Sequence, residues 1–134
     1  MRFTVKTNGH TEVVNITGQV AAAVQRSGVR DGTAVVFVRG STAALTTMEY
    51  ESGAVEDLRA MLARLAPEDA PYRHHERWGD RNGAAHLKSA LIGTDLAVPI
   101  ERAALALGTW QQIVLIDFDE RPREREVIVT VHAS

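Results

Sequence analysis

The stretch TAVVFV at residues 33–38 decides the fold, because it is apolar at nearly every position. Short apolar runs of this kind are typical of strands that are buried on both faces of a sheet. A turn at residues 31–32 precedes the run, and a Gly-Ser interruption at residues 40–41 follows it. Residues 43–48 can continue as a second strand. The centre of the sequence therefore predicts a sheet-based core.

Segments with strand character lie on both sides of this centre. Polar and apolar side chains alternate over residues 2–6, and an Asn-Gly turn at residues 8–9 precedes a second strand at residues 12–16. This arrangement predicts that the chain opens with a β-hairpin. The remaining strand segments are, in chain order, residues 96–100, 103–107, 110–118 and 126–132.

Three segments show the helical spacing of apolar residues. Thr17 is placed to cap the first, and Ser52 is placed to cap the second, which ends at Pro67. The third covers residues 84–91. Because strands outnumber helices by about seven to three, we expect a single α+β domain over residues 1–134. Its antiparallel β-sandwich-like core would carry about three peripheral helices.

The composition excludes several classes of protein. The 134 residues contain no cysteine, which rules out disulfide frameworks, cysteine-ligated zinc and thiol nucleophiles. With 15 Lys and Arg residues against 17 Asp and Glu residues, the formal charge is -2, without the basic excess that attracts nucleic acid or anionic membranes. The sequence has neither a signal-peptide stretch nor an apolar run of membrane-spanning length. We therefore expect a cytoplasmic protein without nucleic-acid or membrane partners.

The polar stretch at residues 68–83 is the one long irregular segment predicted, and such loops often carry function. With the helix that follows, it brings together three histidines, a carboxylate and a carboxamide: His74, His75, Asp80, Asn82 and His86. Asn82 and His86 share one face if the helix begins at Asn82, so the set could bind a divalent cation or transfer protons. The alternative, which the spacing leaves open, is that Asn82 caps the helix, His86 packs in the interior, and the other two histidines are solvated.

Two further positions near the central strands carry candidate chemistry. Glu49 follows a threonine-rich strand, where burial would raise the pKa of its carboxyl group; the alternative is a surface residue at a strand end. Arg39 precedes Ser41 and Thr42, a combination that could bind an anion, although a Gly-Ser-Thr turn usually has no ligand. The sequence contains no P-loop, dinucleotide fingerprint, nucleophile elbow or zinc-protease helix motif.

Short pieces of the sequence resemble, in the same order, the motifs of one known family. They are FVR at residues 37–39, STAALT at 41–46, EYE at 49–51, Tyr72 with His74, AHLK at 85–88 with Gly93, Val98 with Pro99, LGTWQ at 107–111, and Pro122 with Arg123. Over almost the whole chain they look like the YjbQ family, also called the secondary thiamine-phosphate synthase family. The LGTWQ and AHL pieces are the most specific.

The resemblance implies an α+β domain that assembles as a homotrimer, with a pocket of His, Asp and Glu side chains that often holds a divalent metal ion. It also implies a thiamine-phosphate synthase activity, in which a pyrimidine methyl diphosphate and a thiazole phosphate give thiamine phosphate and pyrophosphate. Carried onto this chain, the resemblance favours His86 and His74 as site residues, with His75 competing for the place of His74. Asp80, Asn82 and Glu49 would lie nearby, with Trp110 and Gln111 as a wall.

The sequence departs from the family pattern at Gly40, where many members have a histidine. The expected metal ligands are then His74 or His75, His86 and Asp80, with Glu49 as a further oxygen ligand. Because oxygen-rich coordination suits Mg²⁺ or Mn²⁺ better than Zn²⁺, we expect one of the first two ions.

The chemistry of the implied reaction suggests a role for each residue. His86, Glu49 and Asp80 form the predicted catalytic set, which would hold the cation that neutralises the diphosphate leaving group. The predicted set for binding the phosphorylated metabolite is Arg39, Ser41, Thr42, Asn82, Trp110 and Gln111, in which Trp110 would stack on a ring. The alternative function is a non-catalytic homotrimer that binds a metal ion or a small metabolite.

Overall fold

The computed structural model describes the backbone of all 134 residues and every side chain except those of Arg77 and Trp78. The eight strands are β1 (Arg2–Thr7), β2 (Glu12–Asn15), β3 (Gly32–Val38), β4 (Ala43–Glu49), β5 (Asp95–Glu101), β6 (Ala104–Leu105), β7 (Gln111–Asp117) and β8 (Arg123–Ala133). The four helices are α1 (Thr17–Ser27), α2 (Ser52–Leu65), α3 (Arg73–Trp78) and α4 (Gly83–Ile92).

The strands form two antiparallel sheets, as predicted. One has the order β1-β8-β3-β5-β6 and the other has the order β2-β7-β4. The inner faces of both sheets share one apolar core, to which β3, β7 and β8 contribute Val36, Ile113 and Val127, each without exposed surface. A second apolar cluster joins the outer face of the three-stranded sheet to α2 and α4 through Leu62 and Ala85. The layers are therefore sheet, sheet and helix, which confirms the expected α+β class with a sandwich-like core.

The predicted opening hairpin is wrong. β1 pairs with β8 and β2 pairs with β7, so the first two strands belong to different sheets. The turn between them is held by Asp119, whose carbonyl accepts the His10 N–H at 2.8 Å. Gly9 has φ +81°, and a Cβ at this position would collide with the Asp119 carbonyl. This close backbone approach directs the chain across from one sheet to the other instead of folding it back.

The central strand β3 is buried on one face rather than on both. Val36 and Val38 have no exposed surface, whereas Phe37 is 41% exposed. β3 pairs with β5 on one side and β8 on the other, so its edges are covered by strands. The outer face of the five-stranded sheet leaves Phe37 open, which an apolar run alone does not reveal.

The two residues predicted to cap helices, Thr17 and Ser52, do not occupy the cap positions; the preceding residue does in each case. Glu51, not Ser52, caps α2, because its carboxylate accepts the N–H groups of Gly53 and Ala54. Thr17 is the first residue of α1, and its hydroxyl accepts the Ile113 N–H at 2.8 Å. Its side chain thereby fixes the start of α1 to β7 and does not cap the helix.

The stretch predicted as a long irregular loop contains helix α3. This six-residue helix ends at Gly79, which has φ +73°. The helix shortens the irregular connections on either side of it and places His74 on an ordered element. No described helix of the protein is both long enough and apolar enough to cross a membrane.

A buried ion pair joins the two sheets. Arg125 on β8 donates from Nε and Nη2 to the two carboxylate oxygens of Asp117 on β7, at 2.7 and 2.9 Å. Both side chains are buried, at 6% and 0% exposure, and Thr7 on β1 adds a third hydrogen bond to Asp117. Burial raises the pKa of Asp117, but the hydrogen bonds from Arg125 and Thr7 outweigh it, so the pKa lies below its ordinary value. The pair therefore stays charged, and its charges are compensated.

We predict that Asp117→Asn destabilises the fold by about 3 kcal/mol, because the buried Arg125 guanidinium loses its hydrogen-bonded counter-charge and keeps only Asp119, 3.9 Å from its Nη2. Glu126→Gln is the matched control, since it removes the carboxylate of the exposed pair between Glu126 and Arg2. The control should change the free energy of unfolding by no more than about 0.5 kcal/mol. Urea denaturation of the three proteins measures both values, and equal losses in the two variants would contradict the prediction.

Candidate functional site

Two histidines from different helices face each other near the start of β4. His74 lies on α3 and His86 on α4, with their ring centroids 4.6 Å apart and their planes tilted by 42°. Both residues are half-buried. The Nδ1 atom of His74 is buried and has no hydrogen-bond partner among the described residues. A buried ring nitrogen without a partner is the kind of group that a ligand or an ordered water satisfies.

The surroundings of His86 keep its imidazole neutral. Burial lowers its pKa, and the neighbouring His74 lowers it further. Asp119, the backbone of Ser41 and Asp80 act in the opposite direction, but the pKa remains below the ordinary value. His86 is therefore available at neutral pH to accept a proton or to coordinate a ligand through nitrogen.

His75 performs a structural task. Its Nε2 accepts the N–H of Gly83 at 3.1 Å, the first residue of α4, and thus satisfies one of the free donors at that helix end. The ring of Tyr72 packs edge-on against it, with centroids 5.5 Å apart. Between the two histidines that the sequence left as competitors, His74 is the one whose ring packs against His86.

Asp80 lies at the edge of this region. Its carboxylate is 3.6 Å from Arg121, and both side chains are about half exposed. It influences His86 only as a distant charge, as the last of the contributions to the pKa. The side chain of Trp78, which falls in the same predicted segment, lies outside the described residues.

Asn82 does not cap α4 with its side chain. It is 6% exposed, its Nδ2 donates to Asp119 Oδ1 at 3.3 Å, and its Oδ1 has no partner among the described residues. Asp119 is 1% exposed and also binds Thr42 and Arg123, each at 2.9 Å. Burial raises the pKa of Asp119, but hydrogen bonds from the Glu120 N–H, Thr42 and Asn82 outweigh it, so the pKa is lowered. A fixed negative charge therefore holds Asn82 in place.

Asp117 and Asp119 are the residues that sequence reasoning missed. They follow the apolar run at residues 113–116, on either side of Phe118, and they precede Pro122 and Arg123, which resemble a family motif. Two acidic residues at the end of a fully buried strand are an unusual pattern, because carboxylates are almost never fully buried unless they are paired. These two acidic residues, followed by Arg125 six residues beyond Asp119, are the sequence pattern from which a buried ion pair could have been predicted.

The three residues predicted to bind an anion, Arg39, Ser41 and Thr42, lie in different surroundings. Thr42 is buried, and its hydroxyl is engaged by Arg125 at 2.6 Å and by Asp119, so it belongs to the buried network. Ser41 lines a cavity of about 360 Å³ with His86. Arg39 is exposed and lies 3.5 Å from Glu126. Of the three residues, Ser41 is the one that shares a cavity with His86.

At Gly40, where the resemblance to the family led us to expect a histidine, the backbone conformation favours glycine. Gly40 has φ +133°, and a Cβ at this position would lie 2.8 Å from Nη1 of Arg125. The guanidinium that pairs with Asp117 therefore occupies the space next to Gly40. A larger side chain would need a different backbone conformation and a displaced Arg125.

The other predicted site residues, Glu49, Trp110 and Gln111, lie at the end of β4 that is opposite to the histidine pair. Glu49 is the last residue of this strand and pairs in register with Gln111, whereas the histidine pair lies near its first residue. The strand is about 20 Å long at 3.3 Å per residue. Gln111 donates to Thr47 at 2.9 Å, and Trp110 is 73% exposed. Within one chain, the structure does not bring Glu49, Trp110 or Gln111 to His86, and their roles stay predictions.

The metal expected from the family does not fit the residues of a single chain. Among the described side chains, no group of three or more His, Asp or Glu residues is placed to hold one ion. His75 is committed to Gly83 and Asp80 is next to Arg121, which leaves the two imidazoles of His74 and His86. Two nitrogen ligands fall short of the four ligands of a closed structural zinc site and the three protein ligands of a catalytic one.

The fold and the site together define an α+β protein of two packed sheets and one helical layer, with a cavity lined by His86 of α4. The chain belongs to the YjbQ family: the family model described as "UPF0047 protein YjbQ-like" matches residues 1–134. This confirms the resemblance found in the sequence motifs.

Individual relatives agree along nearly the whole chain. A UPF0047 protein of Archaeoglobus fulgidus is 41% identical over 129 residues, which cover 96% of this chain and 98% of the relative. A solved YjbQ/UPF0047 structure from Clostridium acetobutylicum is 36% identical with a TM-score of 0.90, covering 98% of this chain and 99% of that one. A YbjQ-like protein of unknown function from Sulfolobus solfataricus is 29% identical with a TM-score of 0.91, covering 100% and 97%. These similarities establish the fold and the family.

We predict that His86 makes the protein less stable as the pH falls below about 6.5, its ordinary pKa. The folded state lowers the pKa of His86, so the unfolded chain binds the proton more readily and gains free energy from it. The contribution is absent well above this pH and grows as the pH falls toward the folded pKa. Denaturation between pH 8 and 5 should therefore show a weaker decline for His86→Gln than for wild type. His132→Gln, at the exposed end of β8, is the control and should follow wild type; a wild-type decline in His86→Gln would refute the assignment.

Proposed function

We propose that this protein is a transferase for a small phosphorylated metabolite, similar to the secondary thiamine-phosphate synthase, with His74 and His86 at the centre of its site. The observation that carries the proposal is the pair of adjacent imidazoles, of which one has a buried, unpartnered nitrogen and the other is kept neutral. Perturbed titratable groups beside a cavity are typical of functional sites. The family match supports the same region, since the AHL motif contains His86.

The implied reaction requires the release of a diphosphate from a pyrimidine methyl carbon. The thiazole nitrogen forms the new C–N bond, and the C–O bond to the diphosphate breaks with its electron pair going to oxygen. Stabilisation of the leaving oxygens is the main requirement for such a step. An imidazole N–H of His86 can donate to a diphosphate oxygen in the cavity that it shares with Ser41. The anionic Asp119 would keep Asn82 fixed beside this position.

The proposed step involves no metal ion, because the described residues of one chain do not bring the predicted ligands together. The expectation of Mg²⁺ or Mn²⁺ rather than Zn²⁺ depends on Asp80 and Glu49 as oxygen ligands and stays a prediction. Metal analysis of protein prepared without chelators, for wild type and His86→Ala, is its direct test.

The activity assay follows thiamine phosphate formed from the pyrimidine diphosphate and the thiazole phosphate. We expect His86→Ala to lose about 100-fold or more of the rate, which is the range for removal of a positioned proton-transfer or hydrogen-bonding group. His132→Ala is the matched control and should retain the wild-type rate. Circular dichroism confirms that both variants are folded. Product formation no greater than in a protein-free control, across several divalent ions, would refute the proposal.

A non-catalytic binding protein is the second candidate. The observation that favours it is that the described residues supply two imidazoles where a catalytic metal site usually has three protein ligands. Metal or metabolite binding that depends on His86, without turnover in the same preparation, would support this candidate over the transferase.

We also propose that the chain self-associates, as the family resemblance implies for a homotrimer. Leu87 and Leu91 are four residues apart on α4 and are 54% and 66% exposed. They form an apolar stripe on the helix that carries His86, and exposed apolar surface of this kind is typical of interfaces. Association is also the means by which Glu49 and Trp110 of one copy could approach the histidine pair of another.

Light scattering tests this assembly. We expect wild type to have three times the mass of the 14.6 kDa chain, and Leu91→Asp to have a lower mass because a carboxylate would be buried in the interface. Arg26→Glu, on the exposed side of α1, is the control and should keep the wild-type mass. A monomer mass for wild type would contradict the proposal.

A further inference from the structure

A second cavity lies on the side of α4 that faces away from His86. It has a volume of about 640 Å³, which is within the range of sites for small ligands. Its walls come from α2, from the residues that follow α2 and from the turn between β1 and β2. The polar side chains that line it are His10, Thr11, Arg59, Glu68, Asp69 and Lys88.

Lys88 is the most buried charged group of this cavity. The residue is 3% exposed, and its Nζ makes no hydrogen bond or ion pair to any side chain or carbonyl that the structure describes. Its Nζ lies over the ring of Phe118, 5.9 Å from the ring centroid. Burial lowers the pKa of Lys88, and Glu68 only partly offsets the shift. Lys88 lines the cavity, and its Nζ is not sealed from it, so a ligand in the cavity can supply the acceptors that the chain does not provide.

The other charges of the cavity lie nearer to water. Arg59 Nη2 donates to the His10 carbonyl at 3.3 Å, which places a second cation on the same wall. Glu68 is 3.3 Å from His10 Nδ1 and its side chain is 49% exposed, and Asp69 is also exposed. Solvent and salt screen exposed carboxylates much more strongly than a buried ammonium. The cavity therefore has its least exposed charge, the Lys88 ammonium, on the inside and its two carboxylates nearer to water.

We propose that this cavity binds a small oxyanion, a phosphate or carboxylate group, which accepts hydrogen bonds from Lys88 Nζ and is attracted by Arg59. Lys88 and His86 are two residues apart on α4, so they point to different sides of the helix. The site is thus separate from the histidine pair and does not depend on the transferase proposal. An oxyanion of this size can supply the acceptors that the chain does not provide.

Chemical labelling tests the proposal without any substitution, because the chain has only two lysines, Lys6 and Lys88. Wild-type protein is treated with trace acetic anhydride in chloride, in phosphate or in acetate at matched ionic strength, and acetylation of each lysine is measured by peptide mass spectrometry. We expect phosphate or acetate in the millimolar range to slow acetylation of Lys88 several-fold, since a bound anion covers the amine and favours its protonated, unreactive form. Lys6, which is exposed on β1, is the internal control and should not change.

The arms of the experiment distinguish the source of the oxyanion. Protection by phosphate alone identifies phosphorylated ligands, protection by acetate alone identifies carboxylates, and protection by both identifies the shared chemistry. A rate at Lys88 that neither anion changes would overturn the proposal and leave Lys88 with a structural role.

A variant gives an independent measurement. In wild type, phosphate should raise the thermal unfolding midpoint relative to matched chloride, because a ligand that binds the folded state stabilises it. Lys88→Met keeps the length of the side chain but removes its charge, and should lose this rise. Arg64→Gln removes an exposed cation from the same helix as Arg59 and should keep it. A wild-type rise in Lys88→Met would also overturn the proposal.

Discussion

The ion pair between Arg125 and Asp117 is the interaction on which the rest of the structure depends. It is buried between the two sheets, and its partners extend to Thr7 on β1 and to Thr42 at the start of β4. Thr42 also donates a hydrogen bond to Asp119, and Asp119 accepts another from Asn82 at the start of α4. Because a buried charge requires its counter-charge, the network fixes how the sheets and the site-bearing helix meet.

Much of the fold could be predicted from local patterns. Period-two alternation and apolar runs located the strands, and the spacing of leucines located α2 to within a few residues. The pairing of β1 with β8 and of β2 with β7 could not be predicted, because it depends on contacts between residues about 100 or more positions apart. The exposure of Phe37 was missed for the same reason: an apolar run does not say whether another layer covers its outer face.

Only part of the geometry of the candidate site could be predicted from the sequence. The pattern of histidines indicated the segment that holds His74, His75 and His86, and the structure shows which two meet. The pattern did not reveal that His75 accepts the first N–H of α4 or that Asn82 donates a hydrogen bond to Asp119. Both facts come from tertiary contacts. Glu49 and Trp110 were grouped with His86 by family motifs, which carry no information about distance within one chain.

The conformation at Gly40 has an evolutionary consequence. With its φ of +133° and the guanidinium of Arg125 next to it, this position is coupled to residues 85 places further along the chain. A lineage that acquired an imidazole here would first have to change the backbone or relocate that guanidinium, and the order of substitutions would matter. Any substitution of Gly40 is therefore coupled to Arg125 and has to preserve the contact between the sheets.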